Sequence, residues 1–158
     1  MKKLILLIVP IIINSQITYN DIMSIDSKKQ FIRVVVENNY EFIDDDNGRL
    51  FYAIDEVNGE SSGIGMYIET EGEFMFTFAR KNIIGGILDT NGDGKIDSNY
   101  DLIFNEVKKK CRYFDVIKVL QNDGERSDWV SYSCDDSEYK GNIGFLVEDG
   151  FGYIRHFK

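Results

Sequence analysis

Ile64-Gly-Met-Tyr-Ile-Glu-Thr-Glu-Gly-Glu-Phe-Met-Phe-Thr-Phe78 aligns without a gap to Ile143-Gly-Phe-Leu-Val-Glu-Asp-Gly-Phe-Gly-Tyr-Ile-Arg-His-Phe157, an offset of 79 residues. The opening Ile-Gly, the Glu at the sixth position and the closing Phe are identical, and most other apolar positions exchange for apolar ones. Each segment reads as strand, glycine-containing turn, strand. Further out, Phe51 joins Phe74, Phe76 and Phe78 in a period of two, which reads as one buried sheet face.

The chain ahead of each segment also matches. Ser27 to Asn38 places Phe31, Val34, Val35 and Asn38 at helical spacing, with Ser24, Asp26 or Ser27 as N-cap. The β-branched run Val34 to Val36 makes one long strand the competing reading. Asn99 to Lys110 is a cleaner helix, closing on three lysines that complement the negative end of the helix dipole. A hairpin follows each helix. Tyr40–Ile43 and Leu50–Ile54 flank the turn signal Asp46-Asn47-Gly48, and Arg112–Leu120 and Asp128–Ser133 flank Asn122-Asp123-Gly124. The one proline, Pro10, interrupts none of these strands. The expected fold class is therefore α+β. Two pseudo-repeats of one helix plus four antiparallel strands, residues 24–82 and 99–157, form a sheet with helices on one face. Each copy alone would leave an apolar sheet edge, so the two are expected to join.

This element order resembles the tandem helix-plus-sheet architecture of the secreted β-lactamase inhibitor proteins, a resemblance that implies a fold and carries no inhibitor motif. Cys111-Arg-Tyr, Tyr132-Ser-Cys134 and the stretch Tyr139-Lys-Gly to Ile154-Arg-His-Phe157 resemble small exported bacterial proteins, which implies no particular activity.

The link between the two halves carries the strongest ligand signal. Asp89-Thr-Asn-Gly-Asp-Gly-Lys-Ile-Asp97 sets hard oxygen donors at alternating positions with glycine at the sixth. That layout resembles the calcium loops of EF-hand and dockerin proteins. The expected Ca²⁺ ligands are Asp89, Asn91, Asp93, the Lys95 carbonyl, Asp97 and Asp101. Tyr100 occupies the twelfth position, where these loops place a bidentate carboxylate, so Asp101 must reach the ion from one residue further on. The apolar run Ile83 to Leu88 makes this a strand–loop–helix variant, and a plain glycine-rich turn is the alternative.

Cys111 and Cys134 are the only cysteines. In a hairpin centred between Asn122 and Asp123, facing residue numbers total 245, as 111 and 134 do. The sulfurs then meet across the ladder and form a disulfide, against the alternative of two buried thiols.

Residues 1–15 read as a signal peptide: Lys2 and Lys3, a ten-residue apolar region from Leu4 to Ile13 interrupted by Pro10, then Asn14-Ser15. Such a region falls short of the ~20 residues that span a bilayer, so no stable membrane insertion is expected after cleavage. Residues 16–158 are expected to form a single domain, exported to the periplasm or beyond. Loss of Lys2 and Lys3 would take the formal charge from −9 to −11. So acidic a chain, with no basic stripe, excludes nucleic acid as a partner.

No catalytic constellation assembles. His156 is the only histidine, Glu60-Ser61-Ser62-Gly63 reads as a loop rather than a nucleophile turn, and Asp44-Asp45-Asp46 reads as a solvated turn. The functional expectation is an exported, non-enzymatic, calcium-binding interaction module with a protein partner. A carbohydrate-binding module using Trp129, Tyr132, Tyr139 and Tyr153 is the alternative, and an unrecognised hydrolase the third reading.

Overall fold

The structure is a computed structural model that describes residues 16–55, 61–79, 98–120 and 124–158. Three helices lie among these residues: α1 (Tyr19–Met23), α2 (Lys28–Glu37) and α3 (Asn99–Lys110). The strands are β1 (Glu41–Asp46), β2 (Arg49–Asp55), β3 (Ser61–Ile68), β4 (Glu73–Ala79), β5 (Arg112–Leu120), β6 (Arg126–Ser133), β7 (Asn142–Glu148) and β8 (Phe151–Phe157). They form one antiparallel sheet in the order β1-β2-β3-β4-β8-β7-β6-β5.

This corrects the expected fold class. Over its described residues the protein is mostly one eight-stranded antiparallel sheet with three short helices, not two repeats of a helix plus four strands. β4 pairs with β8 from Met75↔Arg155 to Ala79↔Phe151. The backbone donors and acceptors on those two strands thus satisfy each other, and no boundary divides the sheet into units. Helix α1 also falls outside any unit of one helix and four strands. The aligned segments 64–78 and 143–157 are the β3–β4 and β7–β8 hairpins at the middle of this sheet.

Helix α2 forms despite its β-branched run because burial overrides propensity. Phe31, Val34 and Val35 are fully buried against the sheet while Val36 points outward, and the Ser27 hydroxyl caps the first turn by accepting from the Gln30 N–H. Phe31 sits among Tyr52, Tyr67, Phe74 and Phe76 at centroid distances of 5.5–6.3 Å. Helix α3 covers the other half of the same face, where Tyr100 and Phe104 pack on Phe145. Gly152 lets the Tyr100 ring approach the backbone, for a Cβ there would overlap it. Helix α1 was not foreseen. Its sequence signal is the capping box in which Thr18 and Asp21 bond each other's backbone N–H.

Three local expectations change. Asp44–Asp46 are the end of strand β1, because Asn47 and Gly48, both at positive φ, make a two-residue turn that lets Asp46 pair with Arg49. Phe51 lies on the opposite face from Phe74, Phe76 and Phe78. The register sets Tyr52 in the row of Phe76, through Gly65, and Phe51 in the row of Met66. Ser61 to Gly63 begin β3 instead of forming a loop.

The cysteine hairpin follows its expected register at one end. Arg112 faces Ser133 and Tyr113 faces Tyr132, and the next pair, Cys111 and Cys134, is disulfide-bonded with Cα atoms 4.5 Å apart. A bulge between Tyr113 and Val116 then moves the register by one residue, and the Ser131 hydroxyl takes up the Asp115 carbonyl there at 2.7 Å. The expected signal segment 1–15, Glu60, the apolar run Ile83–Leu88, the expected calcium loop Asp89–Asp97 and the expected turn residues Asn122 and Asp123 lie outside the described residues.

Candidate functional site

Of the expected calcium ligands, Asp89, Asn91, Asp93, Lys95 and Asp97 lie outside the described residues, and Asp101 alone has a described position. Asp101 completes a capping box at the start of α3, its Oδ2 accepting from the Ser98 hydroxyl at 2.6 Å and the Ser98 N–H at 3.1 Å. Tyr100 is buried in the core beneath α3, which accounts for an aromatic residue where the loop pattern asks for a carboxylate. Among the described residues, the one cluster at metal-ligand spacing is Cys111, Cys134 and Asp136. Its sulfurs are joined to each other, so no thiolate is left to ligate. The Asp136 carboxylate accepts from the Tyr19 hydroxyl at 2.7 Å, and Lys110 sits 4.2 Å above the Tyr19 ring. Burial and that carboxylate raise the Tyr19 pKa, keeping the phenol neutral. This corner pins α1 to the disulfide.

His156 does not sit in a polar pocket. It is fully buried between the Phe74 ring, 3.8 Å away centroid to centroid, and the Tyr139 ring at 4.1 Å. A cleft of about 280 Å³ opens elsewhere, between α1 and α3. Its charged lining residues Glu106 and Lys110 are paired with each other at 3.1 Å.

The aromatics expected to bind sugar are not a flat exposed row. Trp129 is 4% exposed, its Nε1–H donates to the Ser127 hydroxyl at 2.9 Å, and it meets Tyr153 and Phe157 edge-on at 69° and 74°. Stacking on a sugar ring needs an accessible aromatic face, which Trp129 lacks.

What the sheet does offer is its second face. All three helices pack on the side of Phe76 and Phe145, and among the described residues no helix covers the other side. One cross-strand row there runs Phe51, Met66, Met75, Arg155 and Gly144. The next runs Ala53, Ile64, Thr77, Tyr153 and Leu146. Most of these side chains are half-buried and Ile64 is exposed, as is Phe151 in the next row, opposite Ala79. Arg155 carries the only charge in the two rows. Its guanidinium is engaged, donating to Glu73 Oε2 at 3.0 and 3.3 Å while lying 5.0 Å over the Phe157 ring. Phe157 in turn lies across Gly144, where any Cβ would overlap its ring. The centre of this face is therefore firm, apolar and without unpaired charge. It offers no acid–base pair, and it can bury against another apolar surface.

Sequence reasoning overlooked this face because period-2 reading assigns one apolar side per strand. The signal was present: in β3, Ile64, Met66 and Ile68 are apolar at one parity while Tyr67 is apolar at the other. No protein-family model matches the sequence, and no curated protein and no solved structure matches it.

Proposed function

We propose that the protein is an exported, non-enzymatic interaction module that docks a protein partner on the helix-free face of its sheet and holds Ca²⁺ in the loop before α3. The row Phe51, Met66, Met75 and Arg155 carries the docking reading: it is mainly apolar and half-buried, no described helix lies over it, and contiguous apolar surface of this kind marks interaction sites. Met66 and Met75 are flexible and polarisable, which suits a contact that must mould to another protein. Capture from the protein's own cell envelope tests this. Wild type and Leu120→Lys, changed on an edge strand, should retain the same partner, while Met66→Lys, with an intact melting transition, should lose it. Retention by Met66→Lys would remove the face from the binding surface.

The calcium reading rests on the loop sequence: short oxygen-bearing side chains at Asp89, Asn91, Asp93 and Asp97 converge when Gly94 allows the sharp turn. An ion that binds only the folded chain raises stability by about 2.7 kcal/mol at a hundredfold over its dissociation constant. With Tyr100 at the twelfth position, affinity of the weak extracellular kind is expected, about 10⁻⁴ M. Melting temperature should therefore rise with millimolar calcium. Asp89→Ala and Asp93→Ala should remove the shift, and Asp45→Ala should keep it. Indifference of the melt to both calcium and chelator would reduce the loop to a turn. Export is supported by the pattern of residues 1–15, with which the disulfide is compatible.

A further inference from the structure

His156 is the only histidine in the chain, and its imidazole is 0% exposed. Neither ring nitrogen has a hydrogen-bond partner, and the buried hydroxyls of Tyr139 and Ser137 have none either. An imidazolium in that position would have no water and no acceptor, so the ring stays neutral as long as it stays covered. Burial is the one cause acting on it, and it holds the pKa down at about 3.

The groups around it offer no compensating charge. On β4, the Glu73 carboxylate is taken by Arg155 and by the backbone N–H of Lys158. On β7, the residue facing His156 is the apolar Ile143. From β3, the Tyr67 phenol is held neutral by burial, and on the β6–β7 connection burial pushes the Tyr139 phenol up to about 12. The other charged groups of that connection, Asp135, Asp136, Glu138 and Lys140, are exposed, and Asp135 and Asp136 are bound by Arg112 and Tyr19.

The two rings that sandwich the imidazole differ in how easily they yield. Phe74 belongs to a central strand paired on both sides, to β3 and β8. Tyr139 belongs to residues 134–141, which form no helix or strand. That segment is tied to the fold by the Ser137 N–H on the Cys134 carbonyl at 3.3 Å and the Glu138 N–H on the Met23 carbonyl at 3.0 Å. The disulfide fixes one end. At the other, Gly141 sits so close to Phe157 that a Cβ would overlap its carbonyl. Lifting Tyr139 is the cheapest way to bring water to the imidazole.

We propose that residues 135–140 are an acid-released flap: protonation of His156 swings Tyr139 away and opens this segment while the eight-stranded sheet stays paired. The direction follows from linkage. The open form titrates near the ordinary histidine value of about 6.5. Below that pH it gains on the closed form about tenfold for each unit of acidification, down to the depressed value of the covered ring.

Hydrogen exchange of the full chain between pH 7 and 4.5, corrected for intrinsic rates, tests this. Protection of residues 135–140 should fall up to tenfold per pH unit while β4 and β8 keep theirs, and His156→Phe should flatten the dependence. Asp136→Asn and Glu138→Gln should leave it in place. As a second readout, the C–H resonances of the lone imidazole should titrate near pH 6 in Tyr139→Ala with the sheet signals unchanged. The flap is overturned if the segment and the central strands lose protection together, or if its protection is independent of pH. It is equally overturned if the carboxylate variants abolish the effect, or if the Tyr139→Ala imidazole still resists protonation.

Discussion

Phe31→Ala should lower the unfolding free energy by about 4 kcal/mol, within the 3–5 kcal/mol typical of a buried Phe truncated to Ala. Phe31 packs against Tyr52, Tyr67, Phe74 and Phe76 together. The sheet makes room for it at Gly65, where a Cβ would crowd Phe31, Val35 and Phe76. Truncation leaves a cavity walled by rings fixed in three different strands, which cannot all collapse into it. Phe31→Leu keeps more of the volume and should cost about half as much. Urea unfolding with an unchanged slope reads both, and a cost under about 1 kcal/mol for Phe31→Ala would mean that α2 is held by its other contacts.

The paired replacement Cys111→Ser with Cys134→Ser ranks next. Closing a loop of ~24 residues removes chain entropy worth about 3 kcal/mol from the unfolded state. Here the bond also fastens the C-terminal end of α3 to the end of β6, beside the Tyr19–Asp136 contact that anchors α1. The double variant should unfold at lower urea by about that amount. Reducing the wild type should reproduce the loss, and thiol titration of the unfolded, unreduced chain should find no free sulfhydryl. Equal midpoints for oxidised and reduced protein would show that packing alone fixes this corner.

Much of the local structure could be read from the residues, because local rules decided it. The end of α3 follows from its three closing lysines, and the disulfide follows from hairpin arithmetic near Cys111. The same arithmetic fails past Tyr113, since a bulge is settled by packing and leaves no mark in composition. The whole-sheet arrangement was misjudged for a similar reason. Matching segments at a fixed offset suggest two units, whereas backbone groups on β4 and β8 are satisfied only by pairing across them. Phe51 was placed on the wrong face because parity within β2 cannot be known until the register with Met66 is set. The helix-free face is a property of where helices are not, and no single strand encodes that. His156 could be seen as the lone histidine, but not its cover, which comes from a segment of no regular structure.

The β4–β8 seam also orders the protein's history. Met75 and Arg155 are eighty positions apart along the chain, yet they are partners at the middle of the sheet. As the chain is delivered from its N-terminus, β1 to β4 can pair among themselves while the outer side of β4 waits for residues 151–157. Contacts of such long range make folding slow and leave an open strand edge in the interim, the kind of edge that recruits other chains. A carrier that shields that edge until β8 arrives, or a delay that holds the whole chain unfolded, would decide the yield of native protein more than the strength of any single contact in the finished fold.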